Sequence, residues 1–261
     1  MLAAVSADFS ETRVSRKTPD NPPPQNSLVR ALVVPVGLFV GAIILALLVI
    51  TFGDRITGDG GTDSTASRDG RTLDPQTMEQ LATEFDRRGV AYGPDDASVV
   101  VREFADYQCP ACAAFADTAA RIRENYADEG KVRFVFYDFP LPMHQHARQA
   151  AAAARCAGRQ GEFWAYHEVL FERQARWSSA GNVTDEFLDM AVESGVDADA
   201  LEQCLDEGAA DQRVAQSAAV AQQLRVTSTP TTMVGNKVFP GVVDYDTIAA
   251  EIDTQLRTAG Q

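Results

Sequence analysis

Positive charge is scarce in this 261-residue chain: 23 Lys and Arg stand against 37 Asp and Glu, a formal net charge of −14 at pH 7. A nucleic-acid partner calls for the opposite balance, so that class is set aside. Lysine is scarcer still, limited to Lys17, Lys131 and Lys237, a bias of codon usage or habitat without functional weight. Histidine is limited to three residues. His144 and His146 lie two apart, on different faces if the segment is helical, and no third ligand is spaced to join them in a zinc site. His167 sits in EFWAYHEVLF beside Phe163, Trp164, Leu170 and Phe171, as a packed or partly exposed helix residue. The acidic groups Asp95-Asp96 and Asp197/Asp199/Glu202 lack the spacing of a calcium loop and read as solvated surface. No metal and no cofactor is expected. Cysteine is limited to four residues, none of them before Cys109.

What is present is enough for a folded domain with residues to spare: 45% hydrophobic and 8% aromatic residues with twelve prolines describe a globular chain. Residues 1–27 are polar, contain Pro22-Pro23-Pro24 and read as a disordered cytoplasmic tail. A transmembrane anchor is expected over 28–52. Its core, Ala31 to Phe52, is 22 residues without a charge, which as a helix would reach ~33 Å, enough for a ~30 Å hydrocarbon layer. A cleaved signal peptide is the competing reading, but the run is longer than a usual h-region and no A-x-A-like site follows it. Arg13, Arg16, Lys17 and Arg30 precede the span; Arg55, Arg68 and Arg71 follow it. That asymmetry favours an inside N-terminus, and the absence of cysteine before the span agrees with a C-terminal domain in an oxidising compartment. Gly53 to Thr72 holds five glycines in 20 residues and reads as a flexible tether of roughly 25 Å. From Leu73 onward, sixteen basic residues face thirty acidic ones, so the expected domain, 73–261, carries the whole net charge.

The informative stretch is VVVREFADYQCPAC, Val99 to Cys112. An apolar, β-branched run opens it and reads as a buried strand. Cys109 follows at a strand-to-helix junction, and Pro110 suits a first helical position, where its missing N–H costs nothing. The unpaired N–H groups and the dipole of a helix start favour thiolate over thiol, lowering the Cys109 pKa. Cys112 comes one turn later, a separation that lets the pair close into a disulfide. Physically this is a redox switch.

Around it, Leu73 to Val90 reads as a helix broken at Gly89. After Cys112 a helix runs to about Glu129, with Phe115, Ala119, Ile122 and Tyr126 on one face, stopped by Gly130. Lys131 to Phe139 reads as a strand parallel to the first. From His144 to about Leu224 the pattern is helical, an insertion spanning about 143–225, with breaks near Gly158–Gly161, Ser178–Asn182, Gly195–Asp197 and Gly208. Thr229 to Val234 returns to strand, Gly235-Asn236 turns, and Lys237 to Phe239 completes a hairpin. A last amphipathic helix covers about Asp244 to Leu256.

This order resembles the thioredoxin superfamily, and more narrowly its DsbA-like branch. REFADYQCPAC (102–112), FYDFPLP (136–142) and TSTPTTMVGNKVFPG (227–241) carry the resemblance, which covers about 98 to 258. It implies an α/β thioredoxin-like fold with a helical insertion, here preceded by one transmembrane helix. The layout is similar to that of thiol oxidoreductases that Gram-positive bacteria hold at the outer face of the cytoplasmic membrane. By this resemblance Cys109 is the nucleophile that enters a mixed disulfide and Cys112 the resolving thiol. Pro230 would be cis and pack against the pair, leaving Thr229 to align a substrate strand beside Pro110 and Ala111. Glu103 matches a buried acid that exchanges protons with Cys112; an ordinary strand carboxylate facing solvent is the other reading. Pro110-Ala111 offers no histidine to the thiolate, so the helix start alone would set the potential, giving a moderate oxidant.

Cys156 and Cys204 remain, 48 positions apart in the insertion. A structural bridge there would close a loop worth ~4 kcal/mol on the chain-entropy model; the alternative is two buried free thiols. The expected function is donation of disulfides to reduced secreted or envelope proteins by a monomer that a membrane redox partner reoxidises. A reductase or isomerase using the same site is the variant, and a non-catalytic tethered peptide-binding or chaperone module is the alternative class.

Overall fold

A computed structural model describes residues 71–260. The expected tail, the span and the tether as far as residue 70 lie outside the described residues. Among the described residues no helix is long and apolar enough to cross a membrane.

The centre of the fold is β3, Val99–Ala105. It pairs parallel with β4, Val132–Asp138, from Val99↔Val132 to Ala105↔Asp138. It pairs antiparallel with β5, Thr231–Val234, and β5 continues into β6, Lys237–Pro240, through the Gly235-Asn236 turn. Two short strands complete the sheet: β1, Arg71–Thr72, on the outer side of β6, and β2, Val90–Tyr92, on the outer side of β4. The strand order is therefore β1-β6-β5-β3-β4-β2.

β3 is apolar along its length because helices cover both its faces. Val99, Val101 and Ala105 face the larger core cluster with Phe115, Ile122, Phe134 and Phe136. Phe104 faces the smaller cluster with Leu81, Phe85, Val135, Tyr137 and Val220. Alternation puts Arg102 on the second face and Glu103 on the first, and both are 1% exposed. Arg102 is matched there: its guanidinium donates to both oxygens of Asp86 at 2.7 Å, and the Tyr137 hydroxyl donates to Asp86 at 2.7 Å. Pairing of that kind is what makes a buried charge tolerable.

The helices follow in chain order. α1, Pro75–Gln80, is capped by Asp74 and continues through a wider turn and a tight one as far as Arg88. α2, Pro110–Ile122, connects β3 to β4. The insertion holds α3 (Ala147–Gly158), α4 (Phe163–Glu172), α5 (Gln174–Trp177), α6 (Val183–Glu193), α7 (Ala198–Asp206) and α8 (Asp211–Gln223). α9, Tyr245–Ala259, closes the chain with Asp244 as its cap. A disulfide joins Cys156 of α3 to Cys204 of α7.

Four local expectations change. The expected tether reaches Thr72, yet Arg71 and Thr72 pair with Val238 and Lys237. Val90 leaves the expected helix for β2; at Gly89 a side chain would meet Val135 Cγ1 at 2.4 Å, so only glycine lets the chain pass this close to β4. His144 and His146 are in the turn before α3, not on a helix. The return strand starts at Thr231, two residues after the expected Thr229.

Candidate active site

Cys109 occupies the cap position of α2 with φ −76° and ψ 121°, and Pro110 takes the first helical position. The Cys109 carbonyl accepts from the N–H groups of Cys112 (3.0 Å) and Ala113 (3.2 Å), while its own N–H donates to the Asp106 carbonyl at 3.0 Å. The side chain is then fixed with Sγ over the helix start, 8% of the residue remaining exposed. Its thiol is lowered from 9.0 to about 5. The leading cause is a hydrogen bond donated by the Cys112 thiol; burial opposes it, and Thr229 and the N–H groups of Cys112 and Ala111 assist. The expectation that the helix start acts alone is corrected here: the second cysteine is the larger donor, because it is too buried to give up its own proton.

Cys112 is fully buried. Burial pushes its thiol far above the ordinary value, and donation to Cys109 pushes it further. The Asp106 N–H donates to its Sγ at 3.4 Å. Two chemically identical side chains thus sit in opposite protonation states at neutral pH.

The Thr229–Pro230 peptide is cis, and the Thr229 carbonyl lies 3.6 Å from Cys109 Sγ. Pro230 is buried, and its carbonyl accepts from Gly241 N–H at 2.7 Å, which ties this segment to the end of β6. Pro110 is exposed and Ala111 half-buried, so the mouth beside Cys109 is apolar and uncharged. Glu103 is on the β3 face whose neighbours Val101 and Ala105 share a core cluster with Cys112. Neither of its carboxylate oxygens has a hydrogen-bond partner. Burial pushes its carboxyl up to about 7, with the Arg123 guanidinium pulling the other way.

Several residues with no mark in the sequence hold the loop that presents Cys109. Asp106 accepts from the N–H groups of Gln108 and Leu141 and from His144 Nδ1, each at 2.7 Å. Gln108 donates to the Ser178 carbonyl at 2.8 Å and accepts from His146 N–H at 2.6 Å. Gln174 donates to the carbonyls of Tyr107 and Cys109. The Tyr107 hydroxyl is 2.9 Å from Nδ1 of His167, a ring packed among Phe136, Phe163, Trp164 and Phe171. Burial keeps His167 well below its ordinary pKa, so the neutral ring accepts from Tyr107. Only the Asp106–Gln108 contact is local enough to be read as an Asx turn; the others join residues 35 or more positions apart.

A strand, a cysteine-capped helix and a cis-proline hairpin around one reactive sulfur agree with the family comparison, in which the model described as Thioredoxin matches residues 86–254. The chain belongs to the thioredoxin family, on its DsbA-like branch. It is 32% identical over 174 residues to disulfide bond formation protein D of Bacillus subtilis, covering 63% of this chain and 76% of that one. Among solved structures, oxidised BdbD of Bacillus subtilis matches with a TM-score of 0.60 at 28% identity, covering 72% of this chain and 97% of that one. Wolbachia pipientis alpha-DsbA1 shares the fold with a TM-score of 0.58 at 21% identity, covering 65% of this chain and 91% of that one. The DsbA-like match spans the sheet, the Cys109–Cys112 helix and the insertion together.

Proposed function

We propose that this protein donates disulfides to reduced secreted or cell-envelope proteins outside the cytoplasmic membrane, to which residues 28–52 anchor it. It is a protein thiol:disulfide oxidoreductase working through Cys109 and Cys112. In the oxidised form a substrate thiolate attacks Cys109 Sγ, the Cys109–Cys112 bond breaks, and Cys112 leaves with the electron pair. Cys112 is then protonated, for which the Glu103 carboxyl is the nearest candidate acid on that core face. A second substrate thiolate attacks the substrate sulfur of the mixed disulfide and expels Cys109 as thiolate. The substrate loses two electrons, the dithiol gains them, and a membrane redox partner takes them away. Thr229 and Pro230, with Pro110 and Ala111, form the surface along which an extended substrate segment lies.

The observation that carries the direction is the ionisation of Cys109. Every group that stabilises its thiolate stabilises the reduced protein and makes the disulfide more oxidising. The pair Cys109 at about 5 and Cys112 held protonated gives a good leaving group at the outer sulfur only. The deciding experiment is equilibration with glutathione redox buffers. A potential above roughly −200 mV is expected for a donor, whereas one near −270 mV, that of thioredoxin, would make the protein a reductant.

A further inference from the structure

Gln174 opens α5 directly after the kink at Arg173. It is 8% exposed, and both protons of its carboxamide are spent on the catalytic loop: Nε2 donates to the Tyr107 carbonyl at 2.7 Å and to the Cys109 carbonyl at 2.8 Å. The Cys109 carbonyl already accepts from the N–H groups of Cys112 and Ala113. One oxygen therefore receives donors from two directions, two from α2 and one from the insertion. The negative ends of two peptide dipoles beside the sulfur are turned toward Gln174 and neutralised there. Sγ is left facing the Cys112 thiol and the N–H groups of Ala111 and Cys112.

We propose that Gln174 is a positioning residue for Cys109, holding the Tyr107 and Cys109 carbonyls so that the sulfur stays over the helix start. This deepens the thiol-exchange reading above and rests on it. The helical insertion is then part of the redox machinery, since its α5 sets the electrostatic surroundings of a sulfur on α2. The groups facing Cys109 leave few other sources for such control. From α2 comes Cys112; from the hairpin side Thr229 and Pro230 bring no charge. Asp106, behind the loop, has its carboxylate engaged by His144 and by two backbone N–H groups. Gln108 ties the same loop to the insertion at Ser178 and His146 but touches neither carbonyl, which makes it an internal control.

The test is thiolate titration of Cys109 by ultraviolet absorbance, with the glutathione equilibrium, in wild type, Gln174→Met and Gln108→Leu. Gln174→Met keeps the volume and removes both donors. The Cys109 pKa is expected to rise by about one unit, with the redox equilibrium moving about tenfold toward the disulfide. Gln108→Leu is expected to lower thermal stability and leave the titration in place. The proposal is overturned if Gln174→Met lowers stability without moving the titration, or if Gln108→Leu moves it equally. Should Gln174→Met fail to fold, the wild-type protein still decides: the Gln174 side-chain amide NMR signals are expected to follow the ionisation of Cys109, and signals that stay still overturn the assignment. A wild-type Cys109 that titrates like an ordinary thiol sinks the thiol-exchange reading itself. A low wild-type value with an unmoved variant sinks the role of Gln174 alone.

Discussion

Cys109 and Cys112 differ by burial and by which one gives the hydrogen bond, and that difference predicts different fates for their serine variants. Cys112→Ser keeps the exposed thiolate and removes the resolving sulfur, so mixed disulfides with a reduced substrate should accumulate on non-reducing gels. Cys109→Ser should form none. Stability against pH follows from two opposite shifts in the reduced protein. The lowered Cys109 value contributes stability that is present above its unfolded value near 9 and is lost as pH falls through about 5. The raised Glu103 value contributes stability that is present below 4.5 and is lost as pH rises through about 7. Glu103→Gln removes the second effect alone. Its melting temperature should gain on wild type as pH rises from 4.5 past 7, and a constant difference across that range would show that no buried charge was relieved. The cysteines and Glu103 were legible because motif and strand lie within eleven residues, REFADYQCPAC. Gln174 was not, since nothing in FERQARW says that its amide reaches a loop 65 positions earlier.

At the scale of elements, long periodic segments were readable and short ones were not. β3, α2, β4, the hairpin and α9 fall within a few residues of where pattern and turn chemistry put them. β1 and β2 hold two and three residues, too few to show alternation, and they exist because a neighbouring strand offers them a ladder. The break between α4 and α5 has no glycine or proline to mark it. The Cys156–Cys204 bridge joins α3 to α7 across a 48-residue separation. Replacing both with alanine should cost ~4 kcal/mol by loop entropy, read as a lower denaturation midpoint. The Cys109 titration should stay put, because the bridge lies in the insertion while the groups that set that thiol come from Cys112, Ala111 and Thr229.

Over the whole molecule, one sheet separates two apolar clusters, and the reactive sulfur sits where β3 hands over to α2. The proposed anchoring predicts that the full-length protein sediments with membranes and that deleting residues 31–52 releases it. In intact cells a membrane-impermeant maleimide should label reduced Cys109, and labelling only after lysis would place the domain on the other side.

The two flanks of the sheet carry a last consequence. β1 masks the outer side of β6 at Val238 and Lys237, β6 ends in a proline, and β2 masks the middle of β4. A client chain that has not yet folded is itself a strand in search of a mate, and sheet margins are where such chains dock and aggregate. Here both margins are already taken by short pieces of the protein's own backbone. An unfolded visitor is turned away from the sides and left one berth, beside the sulfur.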